Sequence, residues 1–157
     1  DGAVQHYDKK HLFIFGGEHK RFTAGTERVV VNFRGVRILL EVCYDLRFPV
    51  WARNLGDYDM ILYVASWPTP RVDAWSALLR ARAIENQCYV AGVNRMGVDP
   101  ACEYSGGSAI IDPYGKTIAE CPWSRESAVS ADIDMEALQA FRKKFPVLDD
   151  ADPFTLI

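Results

Sequence analysis

Residues 59–65 (DMILYVA) form a nearly continuous run of apolar, strand-forming residues, far short of the roughly 20 needed to span a membrane. Such a run is satisfied only as a strand covered on both faces, so the fold must place layers on either side of it. Two further runs read as strands around it: 36–42 (VRILLEV), paired with 28–33 (RVVVNF) about the Arg34-Gly35 turn, and 88–94 (CYVAGVN). Between the last two strands, 73–87 (DAWSALLRARAIENQ) has helical periodicity, with Asp73 suited to the N-cap and Trp75, Leu78, Leu79 and Ile84 on its buried side. Trp67-Pro68-Thr69-Pro70 is a stiff loop, and Pro49 and Gly56 suit the start and end of a helix after Cys43. Residues 3–15 read as a strand and its exit. Residues 107–111 and 116–120 read as a hairpin about Asp112-Pro113-Tyr114-Gly115, 127–133 as a last strand, and 135–144 as a short helix stopped by Pro146. The mixture of strand–helix alternation and hairpins predicts an α/β or α+β fold with a layered sheet.

The length of 157 residues fits a single domain, 1–157, with the irregular tail 147–157 expected at a subunit interface. A net charge of -3 recruits neither nucleic acid nor an anionic membrane. The four cysteines, Cys43, Cys88, Cys102 and Cys121, form no C-x-x-C pair, so neither a zinc site nor a disulfide framework is expected. That points to a reduced, cytoplasmic setting. The chain opens Asp1-Gly2-Ala3 and enters a strand-like pattern at once, as the inside of a longer polypeptide would. Truncation would expose apolar strand surface, so 1–157 alone is expected to dissolve poorly unless a partner segment covers it.

Cys43 closes the run ILLEVC, and CYDLRFP follows it. A lone cysteine at a strand end is most often a small buried hydrophobe. Strand parity nevertheless separates it from the apolar face of Val36, Ile38, Leu40 and Val42. It stands where a strand passes to a turn and helix, the place of a nucleophile elbow with a backbone N–H behind it. Asp45 and Arg47 follow at once, and nearby positive charge favours a thiolate. Candidate partners lie in HYDKKHLFIF (6–15), where Tyr7, Lys9, His11 and Phe13 share a face if this is a strand. Lys9 is either a snorkelling surface lysine or a functional cation. His11 offers a rival Cys–His pair, with His6 and His19 weaker; Glu18, in the Gly16-Gly17-Glu18 loop, reads alone as a surface acid.

Three segments together resemble the nitrilase superfamily of carbon–nitrogen hydrolases: YDKKHLF (7–13), EVCYDLRFPVWAR (41–53), and RARAIENQCYVAGVNR (80–95) followed by SGGSAIIDPYG (105–115). CYDLRFPVWARN, with WP after the next strand, is most similar to the omega-amidase branch, which hydrolyses the terminal amide of 2-oxo acid monoamides such as 2-oxoglutaramate. The resemblance implies a four-layer α-β-β-α sandwich, a homodimer or higher homo-oligomer, and a Glu–Lys–Cys triad with a second Glu. Lys9 falls on the lysine, Cys43 on the nucleophile and Glu18 on the second glutamate. The general-base glutamate belongs to an N-terminal part of the pattern that this sequence does not carry, so the chain is expected to be the C-terminal portion.

The chemistry implied is attack of Cys43 on an amide carbon, with the Lys9 ammonium and the Tyr44 backbone N–H on the oxyanion, release of ammonia, and hydrolysis of the thioester. No metal or organic cofactor is expected; the partner is a small amide. Arg47 suits a substrate carboxylate or a structural pair with Asp45. Trp67 suits a pocket wall or a core aromatic, and Arg71 is a second carboxylate candidate. Glu85 and Asn86 are expected to brace the helix end. Gly106-Gly107-Ser108 is expected to pack strands closely, and Cys88, Cys102 and Cys121 to be bystanders. The alternatives are another superfamily amidase, such as a carbamoyl-amide hydrolase, or a silent fragment or interaction module.

Overall fold

A computed structural model describes residue 2 and residues 4–155 of the chain. The strands are β1 (Val30–Phe33), β2 (Val36–Val42), β3 (Met60–Ala65), β4 (Tyr89–Asn94), β5 (Met96–Val98), β6 (Glu103–Ser105), β7 (Ala109–Ile111) and β8 (Thr117–Glu120); the helices are α1 (Val72–Glu85) and α2 (Met135–Lys144). Six strands form one sheet in the order β1-β2-β3-β4-β7-β8, and β5 pairs with β6 beside it. The central strands β2, β3 and β4 run parallel, while β1, β7 and β8 are antiparallel to their neighbours. The expected mixed, layered α/β fold is what forms.

One face of the sheet is the core. Leu39, Ile61, Val90 and Ile111 stand side by side across four strands and are almost fully buried. The next row is Glu41, Tyr63, Gly92 and Ala109. Helix α1 crosses at Gly92, where a β-carbon would collide with Leu79 and Trp75. Only glycine admits that approach, and the Trp75 indole meanwhile donates to the Gly107 carbonyl at 2.8 Å. The opposite face carries Leu40, Leu62, Ala91 and Ile110, then Val42, Val64 and Val93, of which Val64 and Val93 are 46% and 50% exposed. Apolar residues on both faces explain the unbroken runs. Relative to a four-layer sandwich, the described residues build one six-stranded sheet with a two-stranded hairpin and a helical cover, and leave the other apolar face half open.

Several expected elements differ. Residues 4–13 form no strand (Ala3 lies outside the described residues), because their backbone N–H groups find side chains instead: Lys10 donates to the Tyr7 hydroxyl, His11 to Asp45 and Phe13 to Glu18. After Cys43 comes a 3-10 helix, Cys43–Arg47, and then turns, not a helix from Pro49 to Gly56. The N-cap of α1 is Arg71, and Asp73 sits inside its first turn, where its charge suits the helix dipole. Ile84 is 54% exposed, and Arg82 takes the buried position, donating to the Leu46 carbonyl. Residues 127–133 form no strand. The hairpin of β7 and β8 closes as expected, with Asp112 accepting from Gly115 and Lys116.

Glu85 and Asn86 do brace the end of α1. Asn86 accepts from the Asn54 N–H and donates to the Arg82 carbonyl, and the Glu85 carbonyl accepts from Arg53. The close strand packing expected of Gly106-Gly107 is not what forms: a β-carbon at Gly107 would enter the ring of Trp123, which lies in a turn, and one at Gly106 would meet open space. Helix α2, capped by Asp134, is fastened near the starts of β3 and β4, where Arg142 reaches Asp59, Tyr58 and Gln87. The tail forms a 3-10 turn at Val147–Asp150, and its last two residues lie outside the described set.

Glu41 is buried beneath the elbow, and neither of its carboxyl oxygens has a partner among the described residues. Burial pushes this carboxyl up to about 9, the Asp45 charge adds to the rise, and Arg28 and Arg82 offset only part of it. Between its ordinary value of 4.5 and about 9, the folded chain holds a proton that the unfolded chain releases. Stability therefore falls as pH rises through that window. Urea denaturation at pH 5 and pH 8.5 should show this fall, and Glu41→Gln should flatten it. Parallel losses in the two proteins would contradict the assignment.

Candidate active site

The parallel strands deliver their C-terminal ends to one rim of the sheet, where α/β folds place their sites. Strand β2 ends at Val42, and Cys43 follows with φ +49°, in the left-handed region. A residue with a β-carbon stays there at a cost of about 1–3 kcal/mol unless its surroundings hold it. The turn re-aims Cys43 out of the strand's alternation and starts the 3-10 helix. Its sulfur lies 3.9 Å from the Ser66 carbonyl, just past β3. Tyr44 is the second residue of this helix, where backbone N–H groups lack an intrahelical acceptor. Its ring meets Phe13 and Phe48 edge-on.

Lys9 approaches from the irregular segment. Its Nζ lies 2.9 and 2.7 Å from the two Glu18 oxygens, one of which also accepts the Phe13 N–H at 2.8 Å. Burial opposes charge on Glu18, but the bonds from Lys9 and Phe13 outweigh it and hold the carboxyl below its ordinary range. Cys43 is the reverse case. Burial pushes its thiol up, Lys9 offsets part of this, and Glu18 and Asp45 add to the rise. The expectation of a ready thiolate beside Arg47 is therefore corrected: the nearby cation is Lys9, and burial wins, so the thiol needs a base.

Two cavities meet at Cys43. The larger, about 790 Å³, is lined by Tyr7, Lys9, Glu18, Arg71 and Tyr104 among others. The smaller, about 310 Å³, is lined by Phe13, Tyr44, Arg47, Trp67 and Arg71. All seven site residues expected from sequence, Cys43, Lys9, Glu18, Tyr44, Arg47, Trp67 and Arg71, line one or both cavities. The Arg47 guanidinium lies 4.9 Å from the Trp67 ring centre, and that of Arg71 lies 5.4 Å from the Phe13 ring. Neither arginine forms a salt bridge among the described residues. Trp67 is both wall and core: it is 3% exposed, and its indole donates to the Arg71 carbonyl at 2.7 Å.

The pairing of Arg47 with Asp45 does not occur, because Asp45 is fully buried and taken by Tyr7, His11 and Val42. The Cys–His alternative fails for the same reason. His11 is bonded to Asp45 through Nδ1 at 2.8 Å and stacked on Phe48, and it lines neither cavity. His6 is exposed beside Asp8. Sequence reasoning missed Asn94, which holds the Trp67 loop through its N–H, its carbonyl and the Gly106 carbonyl. It also missed Tyr104, which arrives on the unforeseen β5–β6 hairpin. That hairpin is closed by Asp99, which accepts from Ala101, Cys102 and Tyr104. Among the described residues no helix is long and apolar enough to cross a membrane, and no group of three or more His, Cys, Asp or Glu is placed to hold a metal.

A family model described as carbon-nitrogen hydrolase matches residues 1–143. That match covers the core of the domain, so the reading of the chain as merely a C-terminal portion is not borne out. The chain is 54% identical over 156 residues to omega-amidase YafV of Escherichia coli K12, covering 99% of this chain and 61% of that protein. It is 42% identical to 2-oxoglutaramate amidase of Bacillus subtilis, covering 94% and 57%. Among solved structures it superposes on XC1258 of Xanthomonas campestris, a CN-hydrolase superfamily protein with an arsenic adduct in the active site. The TM-score is 0.95 at 49% identity, covering 99% of this chain and 62% of that one. The chain thus spans about three fifths of the length of these relatives.

Iodoacetamide labelling of Cys43, read by peptide mass spectrometry across pH, should have a midpoint above the ordinary cysteine value of about 8.5. Lys9→Met should move it higher. Cys88, fully buried and with its thiol also pushed up by burial, should stay unmodified while the protein is folded. A Cys43 midpoint below 8.5 would contradict this electrostatic account.

Proposed function

The chain belongs to the carbon–nitrogen hydrolase family, and from that premise we propose that its site hydrolyses the terminal amide of a small 2-oxo dicarboxylic acid monoamide, as an omega-amidase. The observation that carries this reading is the convergence of Cys43, in a left-handed elbow, with the Lys9–Glu18 ion pair on one cavity. The Cys43 thiol gives up its proton and its sulfur bonds to the amide carbon, while the carbonyl π electrons move to oxygen. The Lys9 ammonium and the Tyr44 N–H meet that oxyanion. The tetrahedral intermediate collapses to a thioester as the carbon–nitrogen bond breaks, and the protonated nitrogen leaves as ammonia. Water then cleaves the thioester and returns the thiol.

Glu18 keeps Lys9 charged and in place. Both its oxygens are engaged, so Glu18 is not the acceptor of the Cys43 proton, and the resemblance implies a separate general-base glutamate, in the N-terminal part of the family pattern, for that step. No cofactor enters this chemistry. Arsenic is thiophilic, and the adduct in the active site of XC1258 supports a reactive thiol in this reading.

The guanidinium groups of Arg47 and Arg71, without a salt bridge among the described residues and on a cavity walled by Phe13 and Trp67, suit a short acyl chain ending in a carboxylate. The names of the relatives support 2-oxoglutaramate as that acid amide. A homo-oligomer, a dimer or higher, in the cytoplasm is part of the same proposal.

Ammonia release from 2-oxoglutaramate, glutamine and N-carbamoyl amino acids, compared with Cys43→Ala, tests it. Turnover of 2-oxoglutaramate that disappears in the variant is expected. Preference for the N-carbamoyl substrates would favour a carbamoyl-amide hydrolase, and no turnover at all would favour a silent module. Arg47→Ala should raise KM for 2-oxoglutaramate about 10- to 100-fold, the scale of one hydrogen bond to a charged group, with a smaller change for an uncharged amide. An equal change for both would remove Arg47 from carboxylate recognition.

A further inference from the structure

The Asp45 carboxylate is completely buried two residues after Cys43, and three donors and the His11 ring nitrogen Nδ1 converge on it. Its Oδ2 accepts from the Tyr7 hydroxyl at 2.9 Å and the Val42 N–H at 3.1 Å. Its Oδ1 accepts from the His11 N–H and meets His11 Nδ1, both at 2.8 Å. The Tyr7 hydroxyl accepts in turn from the Lys10 N–H and the Trp51 indole, at 3.1 and 3.0 Å. The His11 ring is pinned flat on Phe48, with centroids 3.8 Å apart. Residues on both sides of Lys9 are therefore fastened to one carboxylate that belongs to the elbow. This segment has no strand ladder to position it; its other fixings include the Gly25 N–H on the Lys9 carbonyl, the Phe13 N–H and Lys9 ammonium on Glu18, and the Phe13 ring against Tyr44.

We propose that Asp45 is a positioning residue: its buried carboxylate clamps the lysine segment to the elbow and thereby sets the Lys9 ammonium beside the Cys43 thiol. The proposal rests on Cys43 and Lys9 being the reacting pair, but not on which amide is cleaved. The ionisable groups acting on Cys43 are Lys9, Glu18 and Asp45 itself. Removing the Asp45 charge would, by charge alone, make the thiol more acidic. Releasing the clamp lets Lys9 move away and makes it less acidic. The two effects have opposite signs, which separates a clamp from a mere neighbouring charge.

The test is the pH profile of Cys43 alkylation in the unsubstituted protein, Lys9→Met, Asp45→Asn and their combination. Thermal melting of each protein is followed alongside. The clamp predicts that Asp45→Asn raises the alkylation midpoint in the same direction as Lys9→Met. At a fixed pH below the midpoint, each unit of that rise slows labelling about tenfold. In the combination, Asp45→Asn should add no further rise. The kcat for the amide should fall about 10- to 100-fold in Asp45→Asn, as expected of a misplaced catalytic group, with KM little changed.

A midpoint that falls or stays in Asp45→Asn while Lys9→Met raises it overturns the clamp. A lowered melting temperature with an unmoved midpoint makes Asp45 structural only and overturns it equally. If Lys9→Met itself leaves the midpoint unmoved, the reading of the reacting pair fails, and the clamp falls with it. Should Asp45→Asn not fold, Tyr7→Phe, which removes one arm of the clamp, must raise the midpoint by a smaller amount; no rise in that variant also overturns the proposal.

Discussion

Cys43 stands at φ +49° between the last residue of β2 and a 3-10 helix, a conformation that a side chain with a β-carbon leaves unless it is held. What holds it is packing on both sides. The parallel pairing of β2 with β3 fixes Val42 opposite Val64, so the chain must turn there. Leu46 and Asp45 of the turn are fully buried, with Leu46 in the core cluster and its carbonyl bound by Arg82 of α1. The sheet rim, the first helix and the lysine segment therefore all bear on one backbone position. The two cavities meet there because that position projects its side chain away from the strand's alternation.

The sheet was largely legible in the sequence. The runs 36–42, 59–65 and 88–94 match β2, β3 and β4 to within a residue, because a strand with apolar residues on both faces leaves an unbroken signature. The segment 4–13 was not legible. Its alternation of residue types suits a strand, yet the partners of its backbone are the side chains of Tyr7, Glu18 and Asp45, the last of them 34 residues away in the chain. Parity consequently gave no sound reason for placing Lys9 near Cys43, although the resemblance did place it there. Asp45 was visible only as a charge beside Arg47, since its partners Tyr7 and His11 lie 38 and 34 residues away. Tyr104 escaped notice because the β5–β6 hairpin is built from Asp99 side-chain bonds, which hydrophobic periodicity does not report.

The electrostatics of the rim follow a simple ordering. Where bonds to charge donors are made, as at Glu18, they outweigh burial and the group stays ionised. Where burial meets only one cation and two anions, as at Cys43, the neutral form wins. The rim thus sets a neutral thiol and a fixed ammonium on one cavity. The two guanidinium groups lie on the aromatic walls of the smaller cavity, leaving charge available to an anion that enters it.

The central claim is that Cys43 carries the acyl group as a thioester. Hydroxylamine competes with water for a thioester and yields a hydroxamate, so product partitioning during turnover of a dicarboxylic acid monoamide without the 2-oxo group, which hydroxylamine would convert to an oxime, reads the intermediate directly. The account predicts hydroxamate formed at the expense of the acid in proportion to hydroxylamine, with ammonia release not slowed, and neither product from Cys43→Ala. Ammonia released without hydroxamate, or release that persists in Cys43→Ala, would contradict it.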